Sequence, residues 1–405
     1  MSGQKIKAAQ YPAANPVTGP ARNAGERKKV CWVVTSLLIV KFFLIPHLAA
    51  LSREHEVTLI VNVDDQEFLD SLELPVTVIP VNIARKVASW QDMKALWQLI
   101  RIFSTRRFHL VHSISPKGGL LGMLAAWITG VPVRIHTFQG EVWANRHGWW
   151  RVALKFMDRL VAGIATQLTV VSHSERQFLL DEGIISPGKS VVLANGSICG
   201  VDPARFYPNA IMRDNVRREN GIPDDSAVII FLGRLNRDKG ILDLAKAFAT
   251  IAATMPDAIL LLVGPEEEQI LEEVQRICAG CGGRVKRVGF TQHPENYMAA
   301  ADVLCLPSYR EGFGLVIIEA AATGVPAVCS RIYGITDAVE EGRTGLLFPA
   351  GDAAALTQAL LKLLEDRDLR QQMGEAARVR ALELFPSRKI IREMLALYGK
   401  LLDRH

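Results

Sequence analysis

From Val30 onward, short apolar runs alternate with stretches of helical period, and after about Cys199 the alternation starts again. In the first half the runs at 30–35, 57–62, 76–80, 109–113, 132–138, 168–171 and 190–194 read as strands, with helices near 43–54, 92–104, 118–129, 149–165 and 174–182. In the second half strands are predicted at 227–232, 258–263, 285–289, 302–306 and 326–330, separated by helices near 240–253, 266–279, 294–300 and 315–323. Strands that alternate with helices build βαβ units, and hence parallel sheets covered on both faces. The chain is therefore expected to be α/β, with two doubly wound domains. In open sheets of this kind a ligand lies at the C-terminal strand ends, so two of them make the cleft between the domains the natural site.

A length of 405 residues with 49% hydrophobic content suits two cores of ordinary size. Residues 1–27 carry no apolar period and read as a disordered leader. The run from Val30 to Leu51 resembles a signal or anchor at first sight, but Lys41, Pro46 and His47 interrupt it well short of the roughly twenty residues needed to span a bilayer. A buried strand, a loop and a helix account for it, with an interfacial role as the alternative. The boundaries expected are a first domain at 28–200, a second at 201–385 and a C-terminal helix at 386–405, broken from what precedes it at Pro386.

Charge is uneven. Residues 1–205 hold 23 Lys and Arg against 15 Asp and Glu, while the remainder hold 24 against 27. A basic first half suits an anionic partner such as a membrane surface or a phosphorylated acceptor, or is simply a solubilising surface. No basic run with interleaved stacking aromatics and no zinc module points to nucleic acid. The six cysteines mostly lie in apolar runs, as small hydrophobes in a reducing cytoplasm do. Cys278 and Cys281 have metal spacing but lack a second pair to complete a zinc site.

The richest stretch is Ala301 to Phe348. A short strand leads through Pro-Ser-Tyr-Arg-Glu-Gly to a glycine-broken turn and a helix start, where free backbone N–H groups and the helix dipole favour phosphate. Glu311 stands before that helix start, and Glu319 follows a little over two turns later, so both carboxylates can line one side of a cleft. Such a pocket suits a ligand with phosphate and sugar hydroxyls. After the strand VIIFLG comes Arg234, then Lys239-Gly240, two cations at a strand end that can hold a diphosphate.

Other clusters lie in the first half. His112-Ser-Ile-Ser-Pro-Lys117-Gly-Gly is a strand end followed by a glycine-rich helix start, which is either a second anion site or close helix–strand packing. His136 and Glu141 flank the end of the next strand, His136 as a buried core residue or as a ligand. The stretches Asn145–Arg159 and Trp97–Arg107 mix tryptophans with basic residues, a composition that lies in a lipid interface or packs a helix onto a sheet.

The string Glu311-Gly-Phe-Gly to Glu319, with Gly-Val-Pro-Ala-Val and GRTGLLF after it and Gly-Arg234-x5-Lys239-Gly upstream, resembles the donor signature of retaining family 4 glycosyltransferases of the GT-B fold. The resemblance implies a nucleotide diphosphate sugar, UDP-linked, as donor. It places Arg234, Lys239 and Glu311 in the catalytic centre, the amides of Gly312, Phe313, Gly314 and Leu315 on the diphosphate and Glu319 on the ribose. It implies no cofactor, no metal and no protein nucleophile, and a C-terminal helix that crosses back to the first domain. Closure of the two domains would then exclude water and limit donor hydrolysis.

The first half is similar to that of bacterial enzymes of capsule, exopolysaccharide, O-antigen and glycan assembly. That likeness implies transfer of a hexose or N-acetylhexosamine to a polyprenyl-diphosphate-linked saccharide, by an enzyme peripheral to the inner membrane, with Lys117, His136 and Glu141 as acceptor contacts. Two departures stand out. Gln139 occupies the place where many members carry a histidine before glycine, and Ser36-Leu-Leu-Ile-Val-Lys41 replaces a diglycine turn. A sugar-nucleotide 2-epimerase and a noncatalytic sugar-nucleotide-binding scaffold are the alternatives; a dinucleotide oxidoreductase is disfavoured by the lack of G-x-G-x-x-G after a strand.

Overall fold

The computed structural model describes residues 27–63, 65, 74–83 and 89–404, so the leader expected at 1–27 lies almost wholly outside the described residues. Two compact units emerge. The first holds the described residues up to Phe138, then Phe156–Thr169 and the chain from Ile391 on; the second holds Gln139–Lys155 and Val170–Ile390.

All seven runs read as strands in the first half are strands: β1 (Lys29–Val33), β2 (Glu56–Val61), β3 (Val76–Pro80), β4 (Leu110–Ile114), β5 (Val133–Phe138), β6 (Gln167–Val170) and β7 (Ser190–Val192). They lie in the order β3-β2-β1-β4-β5-β6-β7, and the pairs β1/β2, β1/β4, β2/β3 and β4/β5 are parallel. Val30 to Val33 are buried at the centre of this sheet, which explains an apolar run long enough to resemble an anchor. Ser36 accepts the Leu38 N–H to open a short helix, a π-helical turn spans Val40–Leu44, and the helix Ile45–Glu54 follows with Pro46 in its first turn. There the missing proline N–H costs nothing. Among the described residues no helix is long and apolar enough to cross a membrane.

A buried polar chain fastens the C-terminal helix Ser387–Leu402 to this unit. His112 on β4 stacks on Trp32 of β1 at 4.1 Å between ring centroids. Its Nδ1 meets the Tyr398 hydroxyl at 2.5 Å and its Nε2 meets Thr137 Oγ1 at 2.6 Å. Thr137 Oγ1 continues to Thr169 Oγ1 at 2.6 Å. Burial, with help from His136 and His47, pushes the His112 imidazole well below its usual range, so it stays neutral at physiological pH.

The second unit contains β8 (Ala227–Leu232), β9 (Ala258–Val263), β10 (Val285–Val288), β11 (Val303–Leu306), β12 (Ala327–Ser330) and β13 (Gly345–Phe348). These form a six-stranded sheet in the order β10-β9-β8-β11-β12-β13, parallel at every pairing. The strand β13 was not expected, because four residues after a glycine carry too little pattern to separate from a turn. The helices Ala353–Glu365 and Arg367–Leu384 complete this unit, capped by Asp352 and Asp366, which accept N–H bonds from Ala355 and Leu369.

Candidate active site

The loops after β8, β9, β11 and β12 bring the expected donor residues together within the second unit. After β8, Arg234 Nη1 forms a forked pair with Glu267 at 2.9 and 3.1 Å, and Asn236 Nδ2 donates to the same carboxylate at 3.0 Å. The Asn236 side chain also accepts the Lys239 N–H at 3.1 Å and so holds the single turn Arg237–Lys239. Gly240 then takes φ +69° with its α-carbon against the Pro307 carbonyl, where a side chain has no room. This turn sends Lys239 back toward β11, where its Nζ donates to Glu311 Oε1 and Ser308 Oγ donates to the same oxygen at 2.9 Å.

Gly314, at φ +75°, starts the helix Leu315–Ala322 without any side-chain cap, which leaves first-turn N–H groups to a ligand. Phe313 turns inward and meets Phe385 edge-on at 5.2 Å, so only its backbone is offered to the site. Glu319 lies farther along this helix, half-buried. Burial pushes it up to about 7 against the opposing pull of Arg205, and Glu295 adds to the rise. Arg205 is itself engaged by Glu295 at 2.9 Å.

A segment from the first half of the sequence joins this loop. Arg310 Nη1 donates to the Gly140 carbonyl at 3.0 Å, and Asn145 Nδ2 donates to the Tyr309 carbonyl at 3.1 Å. Glu141, expected among the acceptor contacts, is buried here facing the carboxyl of Glu175. The start of the helix His173–Asp181 is fastened to the loop after β12, since Asp337 accepts the His173 and Ser174 N–H groups and Ser174 Oγ accepts the Gly334 N–H at 2.7 Å. Glu267, Glu175 and Asp337 were missed from the sequence. Each gains its role from a partner between about 30 and 165 positions away, and none sits in a recognisable spacing.

The remaining two acceptor candidates belong to the first unit. Lys117 Nζ pairs with Asp92 at 2.7 Å. The glycines that follow serve packing: a Cβ at Gly119 would collide with the His136 ring, and one at Gly122 would press on Val33 at 3.2 Å. His136 is buried, with Nδ1 at 2.8 Å from Ser113 Oγ and its ring edge-on to Phe138. Burial lowers its pKa to about 3. It is a neutral core imidazole, the first of the two roles its sequence context allowed. Among the described residues no three His, Cys, Asp or Glu are placed to hold a metal ion.

Residues 44–196 match the model of a "Glycosyl transferase 4-like domain", and residues 212–380 that of "Glycosyl transferases group 1". The chain is 30% identical over 329 residues to the capsular polysaccharide biosynthesis glycosyltransferase CapM of Staphylococcus aureus, covering 80% of this chain and 85% of that protein. The chain belongs to the family 4 glycosyltransferases. A second relative of this glycosyltransferase is the Escherichia coli UDP-Gal:alpha-D-GlcNAc-diphosphoundecaprenol alpha-1,3-galactosyltransferase, 28% identical over 71% of this chain and 74% of that one. Its fold matches the solved sucrose-phosphate synthase of Thermosynechococcus elongatus with a TM-score of 0.80 at 24% identity, over 94% of this chain and all of the other. The architecture is therefore GT-B, two Rossmann-like units with parallel sheets.

Proposed function

We propose that this glycosyltransferase moves a hexose or N-acetylhexosamine, with retention of configuration, from a UDP-sugar to a polyprenyl-diphosphate-linked saccharide in bacterial surface polysaccharide assembly. The observation that carries the donor half is the Lys239–Glu311 pair on the loop that precedes the uncapped helix start at Leu315, with Arg234 held by Glu267, to which Asn236, beside Lys239, also donates. In this reading the diphosphate lies on the amides of Gly312 to Leu315 and exchanges for the carboxylates that Arg234 and Lys239 now hold. Glu311, released from Lys239, turns to sugar hydroxyls, and Glu319 accepts from the ribose. The C1–O bond to the β-phosphate breaks, the two cations stabilise the charge left on the phosphate oxygens, and the acceptor oxygen bonds C1 from the same face. Its proton passes to the departing phosphate, so no protein nucleophile, cofactor or metal takes part.

Acceptor recognition is assigned to the first unit, with Lys117 drawn from Asp92 to an acceptor phosphate. The lipid-linked acceptor is supported by the E. coli relative, whose name specifies such a substrate. Attachment to the inner membrane is supported by the helix Ser89–Arg106, where Trp90 and Trp97 are 83% and 67% exposed on one stripe with Met93, Lys94 and Arg101. Residues 93–107 contain four basic residues and no acidic one. Tryptophan interleaved with cations on one exposed face suits an anionic lipid interface.

The test is incubation of purified protein with a panel of nucleotide sugars, with and without membrane lipid extract. Lipid-dependent release of UDP supports the proposal. Release that ignores lipid favours epimerisation or hydrolysis, and no release with any donor removes the transfer reading.

A further inference from the structure

Within the second unit the loop that carries Gly312 rests on one backbone turn, Gln139 to Glu141. A Cβ at Gly140, whose φ is +81°, would lie 3.0 Å from the Gly312 nitrogen; one at Gly312 would lie 2.8 Å from the Gln139 carbonyl carbon and 2.9 Å from the Gly140 nitrogen. Backbone touches backbone with no side chain between, so a displacement of the turn passes directly to Gly312.

The turn is held from below by a side chain that the proposed transfer does not use. Glu175 sits in the first turn of the helix His173–Asp181, where Ser172 Oγ accepts its N–H at 3.1 Å. The side chain is fully buried, and its Oε1 accepts the Gly140 N–H. That carboxyl faces the carboxyl of Glu141, 3% exposed on the turn itself. Two carboxylates held in one buried place repel each other unless one of them carries a proton.

Tyr333 faces both acids from the loop after β12, where its ring stacks on Phe178 of the Glu175 helix at 4.5 Å. Arg310 faces Tyr333, and Asp337 faces the backbone of His173 and Ser174 at the helix start. Burial first, and Glu141 second, hold the proton on Glu175 well above the usual carboxylate range.

We propose that Glu175 is a positioning residue for the donor-phosphate loop: through the Gly140 N–H it sets the place of the turn on which Gly312 rests, with Glu141 buried beside it on that turn. The inference rests on the donor site assigned above. Ionisation of both acids would set two carboxylates against each other in a buried space, and their repulsion would shift the turn with Glu141. Donor binding then weakens as both acids ionise, a loss that glutamine at either position should remove.

The experiment is calorimetric titration of UDP into the full chain from about pH 6 to about pH 9, with donor KM and kcat measured alongside. Glu175→Ala is expected to raise the UDP Kd and the donor KM on the order of tenfold, with a smaller change in kcat. Glu175→Gln, which keeps an acceptor oxygen for Gly140, is expected to restore most of that loss. Both Glu175→Gln and Glu141→Gln are expected to flatten the weakening with rising pH expected of the wild type. Wild-type UDP affinity in Glu175→Ala, or a wild-type alkaline loss retained by both glutamine variants, overturns the inference. Should Glu175→Ala fail to fold, the two glutamine profiles decide alone. A wild-type protein that binds no UDP removes the donor reading and this inference together, whereas normal binding untouched by Glu175→Ala removes the inference only.

Discussion

Replacing Glu319 by glutamine separates the cost of holding this carboxyl in the protein from its use for a ligand. Burial raises it from 4.5 to about 7. Below about pH 4.5 the group is protonated in both folded and unfolded chains and contributes nothing. Between 4.5 and about 7 the folded chain keeps a proton that the unfolded chain has lost, so stability falls as pH rises. Above that window the full cost is present, about 3 kcal/mol, since each tenfold change in proton affinity corresponds to about 1.4 kcal/mol. Glu319→Gln is therefore expected to leave stability near the wild-type value at about pH 4.5 and to gain about 2–3 kcal/mol by about pH 8. Denaturant unfolding across that range measures it. If Glu319 accepts ribose hydroxyls, UDP favours its charged form. Binding near neutrality should then release a proton, detectable by calorimetry in buffers of different ionisation enthalpy, and the glutamine variant should bind UDP on the order of tenfold more weakly at about pH 8. Stability curves of the two proteins that run parallel from pH 4.5 to 8, or proton uptake on binding, would refute the reasoning.

Three further outcomes are expected. If Arg234 and Lys239 hold the leaving phosphate as proposed, Arg234→Ala and Lys239→Ala should each lower transfer from a nucleotide sugar about a hundredfold or more while circular dichroism stays native; unchanged rates would place the leaving-group site elsewhere. Trp90→Ser with Trp97→Ser should reduce co-flotation with vesicles containing phosphatidylglycerol, and Lys94→Glu with Arg101→Glu should reduce it further at low salt, whereas equal flotation of all variants would exclude this helix as the membrane face. Tyr398→Phe leaves His112 Nδ1 without its partner and should destabilise the first unit by about 1–2 kcal/mol in thermal unfolding.

The strands were legible because they are buried on both faces and read as unbroken apolar runs, as Ala258–Val263 shows with every residue buried. The glycine-broken turn and the helix start after it were legible because their signal is local: Glu311, the glycines and Glu319 lie within nine positions of one another. The environment of Glu141 was not legible. Its partner Glu175 stands 34 residues away on a helix whose pattern predicts only an exposed face and a buried one. The division into units was hidden for the same reason. Residues 139–155 and 170–200 group with the second unit through contacts such as Arg310 to Gly140 and Asn195 to Leu384, which no local period encodes. The glycines after Lys117 suited both a phosphate site and close packing, and only the position of the His136 ring beside Gly119 shows what they pack against.

The Tyr398–His112 bond has a bearing on synthesis. Translation delivers His112 almost three hundred residues before the hydroxyl that completes its hydrogen bonding, so the first unit to emerge from the ribosome is the last to be finished. Gln139–Lys155 and Val170–Ile390 are all present once the first turn of the final helix has been made, and the second unit can close while the sheet around Trp32 still waits for its last partner. Loss of a few C-terminal residues would then be felt at the opposite end of the sequence, in the unit that begins at β1.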